Sequence, residues 1–512
     1  MGDYHASSDS GVEGVGPDEK PQPVAAHVKP SQSSPATSFE ETKRKIDAIA
    51  ESLFQPPNYS NPSQKLIDRY IDEPRELRVA VIGAGLSGTL SGILLPVKVP
   101  GIKLSIFEKN ADVGGTWFEN IYPGVRCDVP AHVYQATFDP NTQWSEQFAQ
   151  GAEIRDYWQG LAKKYDLYKF LQLSQRVEGL NWDDVKSEWQ ISVRDLKTDV
   201  LRTETADFVL TAIGRFNAWK LPDYPGINDF KGTLRHASNW DPEFDPRGKN
   251  IAVIGNGASG IQLTSHLQRG WATRPLCPKQ DLEQRDAFKQ DPDTYLKYRK
   301  EQEGQYYRGF NGYLKGHETV ESQRESFKKA MNDRLARRPD LVDALIPDFS
   351  PHCRRLTPGP GYLEAITADN VDYIRTKIKR ITPTGIETED GRHREVDAIF
   401  CATGANVDMV PPFPIIARGE DLSQTWREGG KAIRTVPHNV ENQVVFYARI
   451  LRKAAREGIR TIQPKKRAAE QYTQWSDAFF ATTVLSEGCS SWYNGGKPGP
   501  GFTVSGQAAH RL

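Results

Sequence analysis

The sequence predicts an α/β chain with two separate strand–glycine-turn–helix units and a helical insertion. Three observations predict it. The apolar run at 77–82, Leu-Arg-Val-Ala-Val-Ile, leads directly into Gly83-Ala84-Gly85-Leu86-Ser87-Gly88. The run at 250–254, Asn-Ile-Ala-Val-Ile, leads into Gly255-Asn256-Gly257-Ala258-Ser259-Gly260. Between 281 and 347 the chain is highly charged and mostly helical in period, and it carries Tyr295, Tyr298, Tyr306, Tyr307, Phe310 and Tyr313.

Taken in order, residues 1–38 are rich in Ser, Pro, Gly and acidic residues and predict a disordered tail. A helix is expected at 39–53. After the first strand, a helix of small residues spans 86–95, closed by Pro96. A strand at 103–107 follows and ends at Glu108, completing a βαβ unit. Short strands are expected at 189–193 and 207–210, a second glycine-led helix at 261–267, and a last strand at 396–400 that runs into Cys401-Ala402-Thr403-Gly404. The expected division is a tail and leading helix (1–60), a first nucleotide domain (61–224), a second with the helical insertion (225–395), and a return to the first domain (396–512).

Each glycine turn has a physical reason. A dinucleotide pyrophosphate needs a tight turn, a bare backbone to approach, and a helix N-terminus aimed at its charge. Gly83, Gly85 and Gly88 supply these in the first unit, and Gly255, Gly257 and Gly260 in the second, so two Rossmann-type dinucleotide-binding domains are expected. Ser87 and Ser259 sit inside the turns. Glu108 falls 20 residues after Gly88. A carboxylate there accepts hydrogen bonds from ribose hydroxyls and repels a 2′-phosphate, which favours FAD or NAD in the first site. Gly114-Gly115-Thr116-Trp117 allows close backbone approach to a flat ring system, and Tyr122-Pro123-Gly124-Val125-Arg126-Cys127-Asp128 follows it.

Composition excludes several classes. Lys+Arg and Asp+Glu number 66 each, so nothing suggests a nucleic-acid binder. The run Ile93-Leu94-Leu95-Pro96-Val97 is far too short to span a bilayer, and the polar N-terminus has no signal-peptide pattern. The five cysteines are scattered without a Cys-x-x-Cys pair. This fits a reducing compartment, with a cytoplasmic location expected, and argues against a disulfide scaffold, a metal site or a dithiol reductase. The terminal His510-Arg511-Leu512 differs from a peroxisomal tripeptide at its first position.

The linker before the second glycine turn reads Phe230-Lys231-Gly232-Thr233-Leu234-Arg235-His236-Ala237-Ser238-Asn239-Trp240-Asp241. It resembles the Phe-x-Gly-x3-His-x3-Trp-[Pro/Asp] fingerprint of the Baeyer–Villiger monooxygenases, and Trp240 separates it from the related flavin N-oxidising enzymes, which carry Phe or Tyr there. The likeness covers most of residues 65–500, with Thr211-Ala212-Ile213-Gly214 and Ala402-Thr403-Gly404 similar to the strand ends where the chain crosses between domains, and Ser491-Trp492-Tyr493 included. The nearest tone is that of fungal enzymes that modify polyketides and other secondary metabolites. The resemblance implies that Thr116, Trp117, Phe118, Glu119, Asp128 and Tyr134 touch FAD and that Arg126, Cys127 and Asp128 lie near the nicotinamide of NADPH. Arg354-Arg355-Leu356-Thr357-Pro358-Gly359 resembles the segment carrying the active-site arginine, a role that falls on Arg355, with Asp128 orienting it. His236 is implied in domain positioning and NADPH binding. The implied reaction takes O2 and a small hydrophobic ketone to an ester or lactone. The open alternatives are oxidation at N, S or another carbon, and a flavoprotein without turnover.

Two stretches depart from that pattern. Where the second unit should continue into a strand and an arginine for the 2′-phosphate, Arg269-Gly270-Trp271-Ala272-Thr273-Arg274-Pro275-Leu276-Cys277-Pro278-Lys279 has two prolines and no apolar run, leaving Arg274 and Lys279 as the cations at hand. After Gly404 the chain reads Ala405-Asn406-Val407-Asp408, and Val444-Val445-Phe446-Tyr447 runs into Ala448-Arg449.

Overall fold

β1 (Leu77–Ile82) is buried on both faces, which is why it reads as an unbroken apolar run. Successive side chains of a strand point to opposite faces. Val79 and Val81 enter one core, shared with Leu90 and Ile93 of helix α1 (Leu86–Lys98), and Ala80 and Ile82 enter another. β1 pairs in parallel with β2 (Ile102–Glu108) and with β7 (Phe208–Thr211), and β3 (Leu171–Leu173) extends the sheet beyond β2. The one charge inside the run, Arg78, is paired with Asp207 at 3.0 Å and Glu188 at 2.9 Å. The computed structural model describes residues 73–214, 218–269, 281–405, 411–424 and 437–489, with Arg44, Ala48 and Tyr70 besides. The expected tail, the rest of helix 39–53, the segment 270–280 with Arg274 and Lys279, residues 406–410 and Ser491-Trp492-Tyr493 lie outside the described residues.

The second core lies against a five-stranded sheet, in which β4 (Gln175–Asp183), β5 (Glu188–Asp195) and β6 (Leu201–Ala206) form a meander joined by β14 (Ile415–Ala417) and β15 (Glu420–Asp421). Helix α2 (Gly151–Lys164) buries Ile154 and Trp158 in the first core. A long helix, α7 (Pro437–Glu457), returns to that core with Val440, Val444 and Leu451. The stretch 444–449 that departs from the expected loop is thus the middle of a helix with its apolar face on α1.

The second unit is smaller. β8 (Thr233–His236), β13 (Ala398–Cys401) and β9 (Ile251–Ile254) form a parallel sheet with β13 in the centre, and helix α3 (Ala258–Gln268) follows β9. This corrects the expected boundary at 396: the last strand does not open the return to the first domain but is fully buried between the other two strands of the second. Among the described residues nothing pairs with the other edge of β9, and all four of its residues are partly exposed. The insertion is built from α4 (Leu282–Gln290), α5 (Pro292–Arg308) and α6 (Glu318–Arg334), with α8 (Lys466–Ala481) bridged to it through Leu314 and Thr483. Its Tyr295 and Tyr298 pack with Phe288 around the buried His132. No described helix is long and apolar enough to cross a membrane.

Two further expectations are corrected. Pro96 does not close α1, which continues to Lys98, with the Val99 N–H donating to the Leu95 carbonyl at 2.8 Å. A proline so near a helix end forfeits a single backbone bond, and burial of Ile93 and Leu95 offsets that loss. The scattered cysteines also include one bonded pair, since Cys353 and Cys489 form a disulfide with Cα atoms 6.3 Å apart. Their separation of 136 residues hides the pair from any local spacing pattern. In chain-entropy terms, closing so long a loop stabilises by about 4–5 kcal/mol. Cys127 and Cys401 are buried free thiols.

Candidate active site

The two glycine turns share one geometry. Gly83 has φ +104°, and a Cβ on it would lie 2.6 Å from the Ala212 carbonyl oxygen; Gly255 has φ +110°, and its Cβ would lie 2.6 Å from the Ala402 carbonyl oxygen. Ala212 N–H donates to the Ile82 carbonyl and Ala402 N–H to the Ile254 carbonyl, both at 2.8 Å. The resembling segments at 211–214 and 402–404 therefore hold the two turns in the same way. The third glycines close the helices onto the turns: a Cβ on Gly88 would sit 1.9 Å from the Gly83 oxygen, and one on Gly260 2.0 Å from the Gly255 oxygen. The middle glycines, Gly85 and Gly257, are the helix N-caps. Neither helix has a side-chain cap or an acidic residue in its first turn, so both N-termini keep backbone donors for an anion. Ser87 and Ser259 lie in those first turns.

Around the first turn, Glu108 is buried and accepts from the Ala84 N–H at 2.6 Å and the Asn110 N–H at 2.8 Å. Burial holds its carboxyl above the ordinary carboxylate range. Ribose hydroxyls donated to it would favour the ionised form. Gly115 backs onto Gly85, where a Cβ would come within 2.8 Å of the Gly85 Cα, so two backbones meet with no side chain between them. The single helical turn Thr116–Glu119 follows. Glu119 is held by Asn110 and Lys109, both at 2.9 Å. Trp117 donates from Nε1 to the Tyr134 hydroxyl at 3.2 Å, and the two rings meet edge to face. Phe118 lies beside Gly114. Burial raises both the Tyr134 phenol and the Cys127 thiol, so neither ionises near neutrality.

The segment 122–128 runs between the two units. The Arg126 guanidinium makes a fully buried ion pair with Glu146 at 2.7 Å, and Glu146 also accepts from Gln150 at 2.7 Å. Breaking such a pair from one side costs about 3–5 kcal/mol. The hydroxyls of Tyr122 and Ser259 are 3.2 Å apart, which ties this segment to the first turn of α3. At its end, Asp128 forms an ion pair with Nε of Arg355, each side chain about a quarter exposed. Two residues 227 positions apart in the sequence thus share one site, and a cation is held where it can be reached from solvent.

His236 is buried at the end of β8. Its Nδ1 accepts from the Ser238 N–H, so Nε2 carries the proton and donates to the Gly404 carbonyl, both at 3.1 Å. Trp219 stacks on the ring at 5.5 Å. The other fingerprint residues are packing groups: Trp240 lies on Phe400 at 4.6 Å, and Phe230 belongs to the core around Ile399. A Cβ on Gly232 would press on the Asp397 oxygen at 2.4 Å. Burial lowers the His236 pKa below its ordinary 6.5, and His266 is lowered for the same reason. Well above 6.5 both rings are neutral whether folded or not. As pH falls through that value, the unfolded chain takes up protons that the folded chain refuses, so stability falls on the acid side by at most about 1.4 kcal/mol per pH unit per ring. Thermal melts should show this acid slope, and His236→Gln, which can keep the bond to Gly404, should make it shallower; an unchanged slope would put the protonation elsewhere.

The structure brings Arg355, Asp128, Arg126 and Cys127 into one neighbourhood and keeps Glu108 with the first turn. Glu146 and Trp219 were not legible from sequence. Each reaches its partner across loops of irregular length, and only the placement of an arginine in an otherwise buried segment signals that a carboxylate must be near.

Comparison with known proteins identifies the family and the fold. A family model described as FMO-like, flavin-binding monooxygenase-like, matches residues 76–276. The chain is 34% identical to the FAD-binding monooxygenase tazF of Aspergillus terreus, covering 82% of this chain and 83% of that one. It is 31% identical to a Baeyer-Villiger monooxygenase of Pseudomonas aeruginosa over 82% of this chain and 85% of the other. Among solved structures it is similar to cyclohexanone monooxygenase from Rhodococcus sp. Phi1 bound to NADP+, with TM-score 0.72, 22% identity, and 85% and 96% of the two chains covered. At that identity the likeness speaks for the fold.

Proposed function

The chain belongs to the FAD-binding monooxygenases, and from that premise we propose that it uses FAD and NADPH to insert one oxygen atom of O2 beside the carbonyl of a hydrophobic ketone, giving an ester or lactone. The observation that carries the ketone reading is the Asp128–Arg355 pair at the end of the segment that joins the two nucleotide units.

The residues present fit both nucleotides. Gly83, Gly85, Ser87 and Gly88 would hold the FAD pyrophosphate at the uncapped end of α1, with Glu108 on its ribose. Gly114 to Glu119, with Tyr134, would lie along its ring system. Gly255, Gly257, Ser259 and Gly260 would hold NADPH in the same manner at α3. Bound FAD, once reduced by NADPH, supplies the activation of O2.

Arg355 keeps its positive charge at any working pH. A guanidinium fixed in place before the reaction stabilises the negative charge that develops on oxygen as it adds to a ketone carbonyl, without reorganising at that moment. Asp128, paired with Nε, would fix the orientation of the guanidinium before the reaction. The buried thiol of Cys127 and phenol of Tyr134 stay neutral, so neither adds charge beside the Arg355–Asp128 pair. His236, neutral and bonded to Gly404, fixes the linker relative to the crossing segment.

The test is product analysis with NADPH under 18O2, using cyclic and aryl alkyl ketones alongside thioethers. An ester or lactone carrying one labelled atom is expected. Sulfoxide alone, with no ketone turned over, would move the assignment to heteroatom oxidation, and NADPH consumption without any labelled product would remove it.

A further inference from the structure

We propose that Gln262 is a positioning residue that latches the 122–128 segment to the second nucleotide helix and so sets the register between the two nucleotides. This rests on the two-nucleotide reading above. Gln262 is a polar side chain in the apolar stretch Ile261-Gln262-Leu263 of α3, and it is 4% exposed. Both ends of its amide are used, and both on the same segment. Oε1 accepts from the Tyr122 hydroxyl at 3.0 Å, and Nε2 donates to the Arg126 carbonyl at 3.2 Å. Because Oε1 can only accept, the Tyr122 proton goes to Gln262 and the Ser259 hydroxyl donates to the Tyr122 oxygen. Tyr122 can serve as that donor throughout the neutral range, since burial pushes its phenol up to about 12.

The contact is close as well as polar. Gly124 faces α3 with φ +81°, and a Cβ there would lie 2.9 Å from the Gln262 carbonyl oxygen and 2.2 Å from the His266 ring. The segment is therefore seated on one turn of the helix whose N-terminus would hold the NADPH pyrophosphate. Two residues beyond Arg126 it reaches Asp128 and, through it, Arg355. Two bonds from this amide, beside the Tyr122–Ser259 contact, make a shift of α3 move nucleotide and arginine together. Displacements near 1 Å at a reacting pair cost about 100-fold in rate.

Two variants test this. Gln262→Met keeps the length and loses both bonds. Gln262→Glu keeps them only while the carboxyl is protonated, because a neutral acid can donate to the Arg126 carbonyl and accept from Tyr122, whereas a carboxylate cannot donate. Burial raises such a carboxyl into a range that can be titrated. We expect Gln262→Met to retain flavin but to slow anaerobic flavin reduction by NADPH about 10- to 100-fold and to weaken NADP+ binding, measured by titration calorimetry, about tenfold. In Gln262→Glu both quantities should approach wild type at the acid end and decline as pH rises, a slope absent from wild type. Wild-type rates and affinity in Gln262→Met, or a loss in Gln262→Glu that does not change with pH, would overturn the proposal. If Gln262→Met does not fold, the pH slope of Gln262→Glu decides alone, its absence counting against the latch. Wild-type protein that binds no NADP+ would bring down this inference and the two-nucleotide reading together, whereas unchanged variants beside a responsive wild type bring down only the latch.

Discussion

Replacing Arg355 with alanine should lower oxygenated product formation by about 100- to 1000-fold, the scale seen when one preorganised charge stabiliser is removed, while flavin content stays at wild-type level. The fold should hardly notice. The Arg355 and Asp128 side chains are 23% and 26% exposed, so losing the pair should cost less than the ~3–5 kcal/mol of a fully buried one. Loss of chemistry without loss of stability is what separates a charge that acts on the reaction from one that holds the fold together. NADPH should still be consumed, its electrons passing to O2 as hydrogen peroxide. Arg355→Lys keeps the charge but not the planar fork and should recover only part of the loss. Asp128→Asn should fall between, since the arginine remains but is no longer held by a carboxylate. Measuring product and peroxide against NADPH consumed checks all three, and an Arg355→Ala variant that still makes ester at the wild-type rate would remove the assignment.

The second large effect is a contrast between the two glycine turns. Gly88→Ala places a methyl group 1.9 Å from the Gly83 oxygen, and Gly260→Ala one 2.0 Å from the Gly255 oxygen. Neither overlap can be relieved by turning a side chain, because the atom met is backbone. Each substitution must pry its helix from its turn, at a cost of about 1–3 kcal/mol or more. The expected outcomes differ by site. Gly88→Ala should purify with little or no flavin. Gly260→Ala should stay yellow but be reduced by NADPH at least about tenfold more slowly, given the loss of one positioned anion site. Gly160, in α2, is the control, because a methyl group added there would meet nothing within 4 Å and its φ is not left-handed. Its alanine variant should be slightly more stable, by up to about 1 kcal/mol. Flavin-to-protein ratios and reduction rates read out the contrast, and a fully flavinated Gly88→Ala protein would contradict the placement of FAD at the first turn.

The parts of this molecule legible in the sequence are those whose physics is local. A strand, a glycine turn and a helix start lie within a dozen residues at 77–88 and again at 251–260, and steric need alone dictates the glycines. The pairing of Asp128 with Arg355 was expected from a family likeness, since no local pattern joins positions so far apart. What sequence does not show is decided by non-local contact. Pro96 is tolerated inside α1 because burial of neighbouring residues outweighs one lost bond. Strand 398–401 goes to the second sheet because its partners, at 233–236 and 251–254, are in register there, although the chain around it suggests a return to the first domain. The Cys353–Cys489 bond and the Arg126–Glu146 pair depend on loops whose path no periodicity encodes. Of the meander at 175–206 only the middle strand, near 189–193, is visible, for the same reason: a strand in an antiparallel sheet needs a partner, and the partner's register is not written in its own residues.

Whether this chain binds a flavin that NADPH can reduce is read most directly from the absorption spectrum of the purified protein, taken before and after anaerobic addition of NADPH and again after O2. The expected result is a bound-flavin spectrum that bleaches with NADPH and returns with O2. A colourless protein, or a bound flavin that NADPH cannot bleach, would contradict the two-nucleotide assignment.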